Sequence, residues 1–302
     1  MVRNFLFHRV STQEDLLWPP LKPKTFEGII KYISKNFQLV NLESFYLNPQ
    51  KKTKKKVATV TFDDGYKDIL DFAVPILRKY KCPASFYIVT SLPNTNELIW
   101  TQELGIRLMK TKRKSLDMEH LDVPMLFKKI NLNKSNKTTV ISNFKIWLKK
   151  ENSETRNIVL NELRKQTSDI TWQRQLLNWQ EIQQLNDEGY TIGSHTNTHP
   201  LLDHLTEEDC KKELKISFDI LNKKLGKTPT TIAYPNGNYN NIIIKLAEEV
   251  GYNLGLAVGE KFDNLESNSK FSIPRMQLGS NANWKNKLKV IGVNNCLVKL
   301  WN

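Results

Sequence analysis

Apolar residues recur along this chain with two alternating periods, which predicts an α/β fold. Helices are predicted where apolar residues stand three and four positions apart: residues 25–37, 68–79, 179–188, 206–226 and 240–249. Short apolar runs typical of buried strands lie around them: residues 3–10, 57–62, 84–89, 190–194, 231–234, 254–258 and 272–275. Because strands that alternate with helices form a mostly parallel sheet with right-handed crossovers, we expect a distorted (β/α) barrel of about seven strands.

One long segment, residues 97–178, departs from this alternation. It is polar and rich in lysine, it has no convincing strand pattern, and Phe144, Trp147 and Leu148 stand at helical spacing. We therefore predict a single domain over residues 1–302 that carries a helical insertion at 97–178. The insertion fits either a substrate lid or a face that packs on the barrel.

The net charge narrows the choice of partners. Lysine and arginine number 45 against 31 aspartates and glutamates, for a formal charge of +14. Such a balance favours a phosphate-bearing substrate, an anionic membrane surface or nucleic acid, although a solvated lysine-rich surface explains it equally. No basic motif with interleaved aromatics and no zinc-finger spacing occurs, so we expect no nucleic-acid partner. Peripheral contact with an anionic membrane stays open, and the sequence does not predict the oligomeric state.

The cysteines and the two ends of the chain bear on its location. Cys82, Cys210 and Cys296 are too few and too scattered for a disulfide framework, which suits a reducing compartment. Residues 1–10 lack the apolar core of a signal peptide, and no run of about 18 apolar residues occurs. We therefore expect a cytoplasmic protein, with the inner face of the membrane as an alternative site. Residues 284–301 are predicted to form a helix that closes the barrel, or one that lies on a membrane surface.

The candidate chemistry begins with two adjacent carboxylates, Asp63 and Asp64, between an apolar strand and a glycine. The end of such a strand holds side chains at the mouth of a barrel, and adjacent carboxylates repel, so a metal or a proton should neutralise one of them. The segment Gly-Ser-His-Thr-Asn-Thr-His-Pro adds two imidazoles, His195 and His199. One carboxylate and two imidazoles make a three-ligand site with an open position, and the second carboxylate is free to act as a base. This pattern favours a metal-assisted hydrolase.

The motifs T-F-D-D-G and S-H-T-N-T-H, followed by A-Y-P-N-G, resemble the polysaccharide deacetylases, the NodB-homology carbohydrate esterases. The resemblance implies that Asp64, His195 and His199 bind a divalent metal, with zinc as the expected ion, and that Asp63 is the general base. The attacked group would be the acetamide of an N-acetylated sugar. The metal and a backbone N–H within the run Tyr234, Pro235, Asn236 and Gly237 would stabilise the oxyanion.

Two positions depart from the family pattern. The late L-x-L-H motif is missing, but His8 ends the first strand, which resembles the circularly permuted members, including poly-N-acetylglucosamine deacetylases. His8 is therefore assigned as the acid. The arginine of R-x-P-Y is also missing, and Arg275 at a later strand end is assigned to orient Asp63 and keep it ionised.

Each assignment has a structural alternative. Asp63 fits a turn before glycine, His195 and His199 fit capping or core histidines, His8 fits a core histidine, and Arg275 fits a surface ion pair.

The resemblance implies a metal-dependent N-deacetylase of an N-acetylated sugar in a polysaccharide or in a glycan precursor of the cell envelope. The substrate, and thus the partner, would be an N-acetylated glycan or a lipid-linked sugar. Two alternatives remain at this level. One is a deformylase of a lipid-linked amino sugar with the same chemistry, and the other is a non-catalytic glycan-binding protein on the same fold.

Overall fold

A computed structural model describes residues 2–15, 17–48, 56–259 and 270–279 of the chain. Its strands, in chain order, are β1 (Val2–Phe7), β2 (Gln38–Leu39), β3 (Val57–Phe62), β4 (Ser85–Ile88), β5 (Ser115–Asp117), β6 (Lys129–Asn131), β7 (Thr191–Ser194), β8 (Thr231–Ala233), β9 (Leu254–Val258) and β10 (Ile273–Gln277). Its α-helices are α1 (Pro23–Asn36), α2 (Leu42–Leu47), α3 (Val74–Lys79), α4 (Trp100–Lys110), α5 (Met125–Lys128), α6 (Lys137–Leu148), α7 (Ser153–Gln166), α8 (Trp179–Asp187), α9 (Glu207–Leu225) and α10 (Asn241–Val250).

The predicted barrel is confirmed. The parallel strands follow the order β1-β10-β9-β8-β7-β4-β3, and β1 also pairs with β3, which closes the ring, while β2 adds to the outer side of β3. Helices cover the outside, as expected when every strand is buried on both faces.

Side chains alternate along the barrel strands, so some point outward to the helices and others point into the barrel. Outward side chains pack under the helices: Phe7 and Phe62 stack with ring centroids 5.5 Å apart, Phe62 and Phe86 at 5.1 Å. Each such buried ring contributes roughly 1.5–3 kcal/mol of stability. Inward side chains include Arg275 and Tyr87, both fully buried. The inside of the barrel is therefore where polar chemistry collects.

The register of β1 on β3 decides which side chains meet at the carboxyl end. Val2 is paired with Val57 and Phe7 with Phe62, so both strands end at the same level. The N–H of Asp63 donates to the carbonyl of Phe7 at 3.1 Å. His8 and Asp63, the next residues along, are therefore neighbours.

Between β4 and β7 the chain forms helices α4, α5, α6 and α7 and a short antiparallel hairpin, β5 paired with β6. The segment has a buried core of its own, which includes Leu104, Leu108, Leu116, Phe127, Ile130, Phe144 and Leu160 and which meets the barrel at Tyr66 and Val89. The division of the chain into a domain and an insertion at 97–178 stays a prediction.

The prediction of no strand in this segment is wrong. Leu116 and Ile130 are buried between exposed neighbours, but each strand has only three residues, which is too short for an alternating pattern to be read from sequence.

Other elements differ from prediction at their ends. The first strand ends at Phe7 rather than at residue 10, and the helix predicted at 68–79 opens with a π-helical turn, Ile69–Ala73. The sequence did not indicate β2 or α2, which are two and six residues long. The predicted helix at 284–301 and Cys296 lie outside the described residues. Among the described helices, none combines the length and the apolar character needed to cross a membrane.

Candidate active site

The two adjacent carboxylates are separated by an unusual backbone. Asp64 and Gly65 have φ angles of 74° and 75°, in the left-handed region that glycine adopts easily and aspartate rarely. A side chain at Gly65 would also place a Cβ 3.0 Å from the Ile88 side chain. The turn directs Asp63 toward Arg275 and Asp64 toward the two histidines, so neighbours in sequence serve different partners.

Asp64, His195 and His199 form one compact group. Asp64 Oδ1 lies 3.4 Å from His195 Nε2 and 3.5 Å from His199 Nε2. The ligand atoms that these residues offer all lie within 4.8 Å of one another. Asp64 and His195 are buried and His199 is partly exposed, which leaves one open side.

Hydrogen bonding prepares His195 as a ligand. Its Nδ1 lies 2.7 Å from the carbonyl of Ala233 and donates to it, so Nε2 presents its lone pair toward Asp64. Burial, followed by the nearby charge of His195, lowers the pKa of His199 to about 4, so this imidazole is neutral at neutral pH.

The donor set itself tests whether a metal fits. Asp64 Oδ1 is buried and has no hydrogen-bond partner among the described residues, and neither has Nδ1 of His199. A buried carboxylate oxygen that lacks a hydrogen bond and lies near Nε2 of two imidazoles is a group that a bound cation would satisfy. Asp64, His195 and His199 therefore fit a divalent metal ion, with the carboxylate and imidazole ligands that such ions take.

Asp63 is held by Arg275. Nη1 and Nη2 of Arg275 donate to Oδ1 and Oδ2 of Asp63 at 2.6 and 2.7 Å, which is a bidentate pair. Arg275 is fully buried and its guanidinium carbon lies 5.3 Å from the ring centre of Tyr87. Burial raises the pKa of Asp63, but Arg275, His195 and His8 together outweigh burial and the net shift is downward. Asp63 is therefore ionised, and the alternative of a surface ion pair for Arg275 does not describe this geometry.

His8 reaches the same end of the barrel. Its ring lies 5.4 Å from that of Trp18. Burial lowers the pKa of His8, and the charges of Asp64 and Asp63 raise it only in part, so the net shift is downward while His8 lies within the field of both carboxylates. His120, by contrast, pairs with Glu162 on the segment between β4 and β7.

The four residues predicted around the oxyanion do not contribute equally. The N–H of Tyr234 donates to the carbonyl of Leu256, the N–H of Gly237 donates to the carbonyl of Tyr234, and Pro235 has none. Asn236, with φ of 59°, is left with a backbone N–H that has no partner in the described part of the chain. Of these four residues, Asn236 is therefore the one whose N–H is open to a ligand in the described part of the chain.

Three side chains near this site were not singled out from the sequence. Nε1 of Trp100 donates to the carbonyl of His199 at 3.3 Å, and a carboxylate oxygen of Glu213 accepts from the N–H groups of Asn197 and Thr198. Lys149 Nζ donates to Oδ1 of Asn236 at 3.2 Å. No motif marks these residues, since each comes from a distant helix or from the start of one.

A closed parallel barrel that gathers an Asp/His/His group beside an arginine-paired carboxylate defines a (β/α)-barrel protein with a candidate metal centre. The chain belongs to the polysaccharide deacetylase family, whose model matches residues 50–255.

Individual relatives are distant. The chain is 22% identical over 254 residues, 83% of its length, to YxkH of Bacillus subtilis, which carries a provisional polysaccharide deacetylase name. It is 24% identical over 199 residues, 64% of its length, to the poly-β-1,6-N-acetyl-D-glucosamine N-deacetylase of Staphylococcus aureus. It spans 62% and 66% of the lengths of these two relatives.

A solved structure agrees with the fold. The Streptococcus pyogenes deacetylase PplD, in complex with acetate, superposes with a TM-score of 0.62 at 19% identity, over 96% of this chain and 97% of that one.

Proposed function

We propose that this protein is a metal-dependent hydrolase that removes N-acetyl groups from an N-acetylated sugar in a polysaccharide or glycan precursor. One observation carries the proposal: Asp63, kept ionised by its bidentate pair with Arg275, lies beside the group of Asp64, His195 and His199. A protein that only binds glycans has no need for a spare base beside a metal site. The name of the Staphylococcus aureus relative supports the acetyl group as the one removed.

Each reacting proton has a candidate side chain. A divalent ion, Zn²⁺ in this proposal, would be held by Asp64, His195 and His199 and would supply Lewis acidity to the acyl oxygen and to water. Asp63 takes the proton of the water that attacks the acetamide carbon. The N–H of Asn236 stabilises the oxyanion that forms. His8 donates a proton to the amine as the C–N bond breaks, which leaves acetate and a free amino sugar.

The fixed geometry explains why two neighbouring carboxylates have separate roles. Asp63 cannot turn toward the metal group without breaking two charge-assisted hydrogen bonds to Arg275. Each such bond contributes roughly 1.5–3 kcal/mol, so the pair keeps Asp63 as a base and Asp64 as a ligand.

Metal content and product release test the proposal together. Elemental analysis should find about one divalent ion per chain in the wild type and a loss in both His195→Ala and His199→Ala. His204→Ala is the matched control, because that histidine is exposed and lies outside the group. The loaded protein should release acetate from N-acetylglucosamine oligomers, and formate release from N-formyl analogues is measured beside it.

The outcomes separate the candidates. Formate release without acetate would favour a deformylase. An absence of metal after zinc is added would contradict the mechanism and leave a glycan-binding protein.

A further inference from the structure

Helix α6 connects loops that follow two strands on different parts of the barrel. Just past its last turn, Lys149 donates to the side chain of Asn236, in the loop after β8. One turn earlier, the Nζ of Lys145 lies beside Gly105 of α4, where Leu17 from the loop after β1 also packs. Strands β1 and β8 are not neighbours in the ring. The helix therefore places two lysines, four residues apart, at the catalytic end of the barrel.

Among the described residues, these two lysines have no acidic side chain paired with them. In the described part of the chain neither forms an ion pair within 4.0 Å, and Lys149 has the neutral amide of Asn236 instead. The negative charge of Asp15 raises the pKa of Lys145, but the Asp15 carboxylate already pairs with Arg9 at 2.8 Å.

Both lysine side chains are partly buried. Burial, followed by the charge of Lys149, lowers the pKa of Lys145. Like charges four residues apart on a helix destabilise it, so an anion between them would relieve both repulsion and burial.

We propose that Lys145 and Lys149 bind an acidic substituent of the substrate, a carboxylate or a phosphate, so that the enzyme prefers acidic N-acetylated glycans to neutral ones. This inference rests on the proposed function of the site. Lys149 touches Asn236, whose N–H is the candidate oxyanion donor, so the acidic group would lie on the reacting sugar or on its neighbour. Lysine suits this role because an ammonium group accepts either anion without a fixed geometry.

The test compares three oligosaccharides that share one N-acetylated backbone: a neutral form, one with a uronate and one with a phosphate. At low salt, kcat/KM of the wild type should favour at least one acidic form by about tenfold, the contribution of one charge-assisted hydrogen bond. The uronate and phosphate arms identify which anion is used. Lys145→Gln and Lys149→Gln should each reduce that preference while turnover of the neutral form persists, which also shows that the variants fold. Lys150→Gln, at the exposed next position, should behave as wild type.

Two results would overturn the inference: equal kcat/KM for neutral and acidic forms in the wild type, or variants that lose both in equal measure. An absence of acetate from all three substrates would instead contradict the proposed function. In that case, calorimetric titration with the phosphate-bearing oligosaccharide still tests whether Lys145 and Lys149 bind an anion. Affinity should fall about tenfold or more in the Lys145→Gln, Lys149→Gln double variant, and unchanged affinity rejects the anion site.

Discussion

Four non-glycine residues of the candidate site adopt positive φ: Asp64, Thr196, His199 and Asn236. Each such conformation costs roughly 1–2 kcal/mol for a residue with a Cβ, and the surrounding hydrogen bonds must offset it. Thr196 shows how: its N–H donates to the hydroxyl of Ser194, and its own hydroxyl accepts from the N–H of His199. Strain concentrated at ligand positions indicates that side-chain direction here outweighs local backbone preference.

Asp63→Asn should keep the metal and lose turnover. The amide is isosteric but cannot accept a proton, so kcat should fall by about 100-fold or more. Metal content, measured on the same preparation, should match wild type because Asp64 and the histidines are untouched. Since Arg275 would then be a buried cation with no charge partner, the free energy of unfolding should also fall by about 3 kcal/mol in denaturant titration. Full activity would remove Asp63 as the base.

His8→Ala should lower kcat without changing metal content. His8 is outside the three-residue ligand group but within the field of Asp63 and Asp64, as an acid for the departing amine should be. Loss of a general acid costs about 100-fold or more, and substrates with better leaving groups should be less affected. An equal loss for every leaving group would make His8 a structural residue.

At the scale of elements, a buried ion cluster joins α4 to α7. Glu103 on α4 accepts from Nε of Arg107 at 2.8 Å and from Arg164 on α7 at 2.8 and 2.7 Å. Arg107 also donates to the carbonyl of Thr167. Because Glu103 is almost fully buried, the segment between β4 and β7 depends on this carboxylate as well as on its apolar core.

Glu103→Gln should destabilise the protein at neutral pH by about 3 kcal/mol, because two arginines lose one buried counter-charge. Burial raises the pKa of Glu103, but Arg164 and Arg107 outweigh it and the net shift is downward. A carboxyl with a depressed pKa stabilises the fold above its unfolded-state pKa, and the contribution is lost as pH falls through the folded-state value.

The difference in unfolding free energy between wild type and Glu103→Gln should therefore persist at pH 5 and shrink below about pH 4. Denaturant titrations at a series of pH values measure it. Glu162→Gln, on the same helix as Arg164 but with lysine and histidine partners near the surface, is the matched control and should change stability little. If the difference in unfolding free energy grew at low pH, the pKa of Glu103 would be raised rather than lowered in the folded protein.

At the scale of the molecule, the candidate metal group joins parts of the chain that are far apart in sequence. Asp64 follows β3, His195 and His199 follow β7, and the carbonyl that orients His195 belongs to β8. A metal ion held by these residues would bind only when the barrel is closed, so its binding would be linked to folding.

Removal of the metal should lower the Tm of the whole protein. An ion present at about 100 times its Kd stabilises by about 2.7 kcal/mol, and a chain of this size then loses roughly 5–10 °C on chelation. Scanning calorimetry with a chelator, and again after zinc is restored, measures the change. The Tm of His195→Ala should change neither with the chelator nor with zinc. If its Tm changed as much as that of the wild type, the metal would bind elsewhere.

How far the sequence alone predicts this protein depends on the range of each interaction. The spacing of apolar residues predicted the strands and helices of the barrel, because it reflects whether an element is buried on one face or on both. Motifs within one turn placed Asp63 beside Asp64, and His195 near His199. Their chemical types alone indicated a ligand set and a base, and the family that they resemble is the one that the chain belongs to.

Only the tertiary structure decided what meets what. The bidentate pair of Arg275 with Asp63 depends on the register of β10 in a closed ring, and no local pattern reports that register. Sheet and turn hydrogen bonds occupy the N–H groups beside Asn236 and leave its own without a partner among the described residues. Packing between helices then brings Lys149, just past α6, to the side chain of Asn236. Local sequence sets which elements form, whereas closure, register and long-range packing set which side chains share one site.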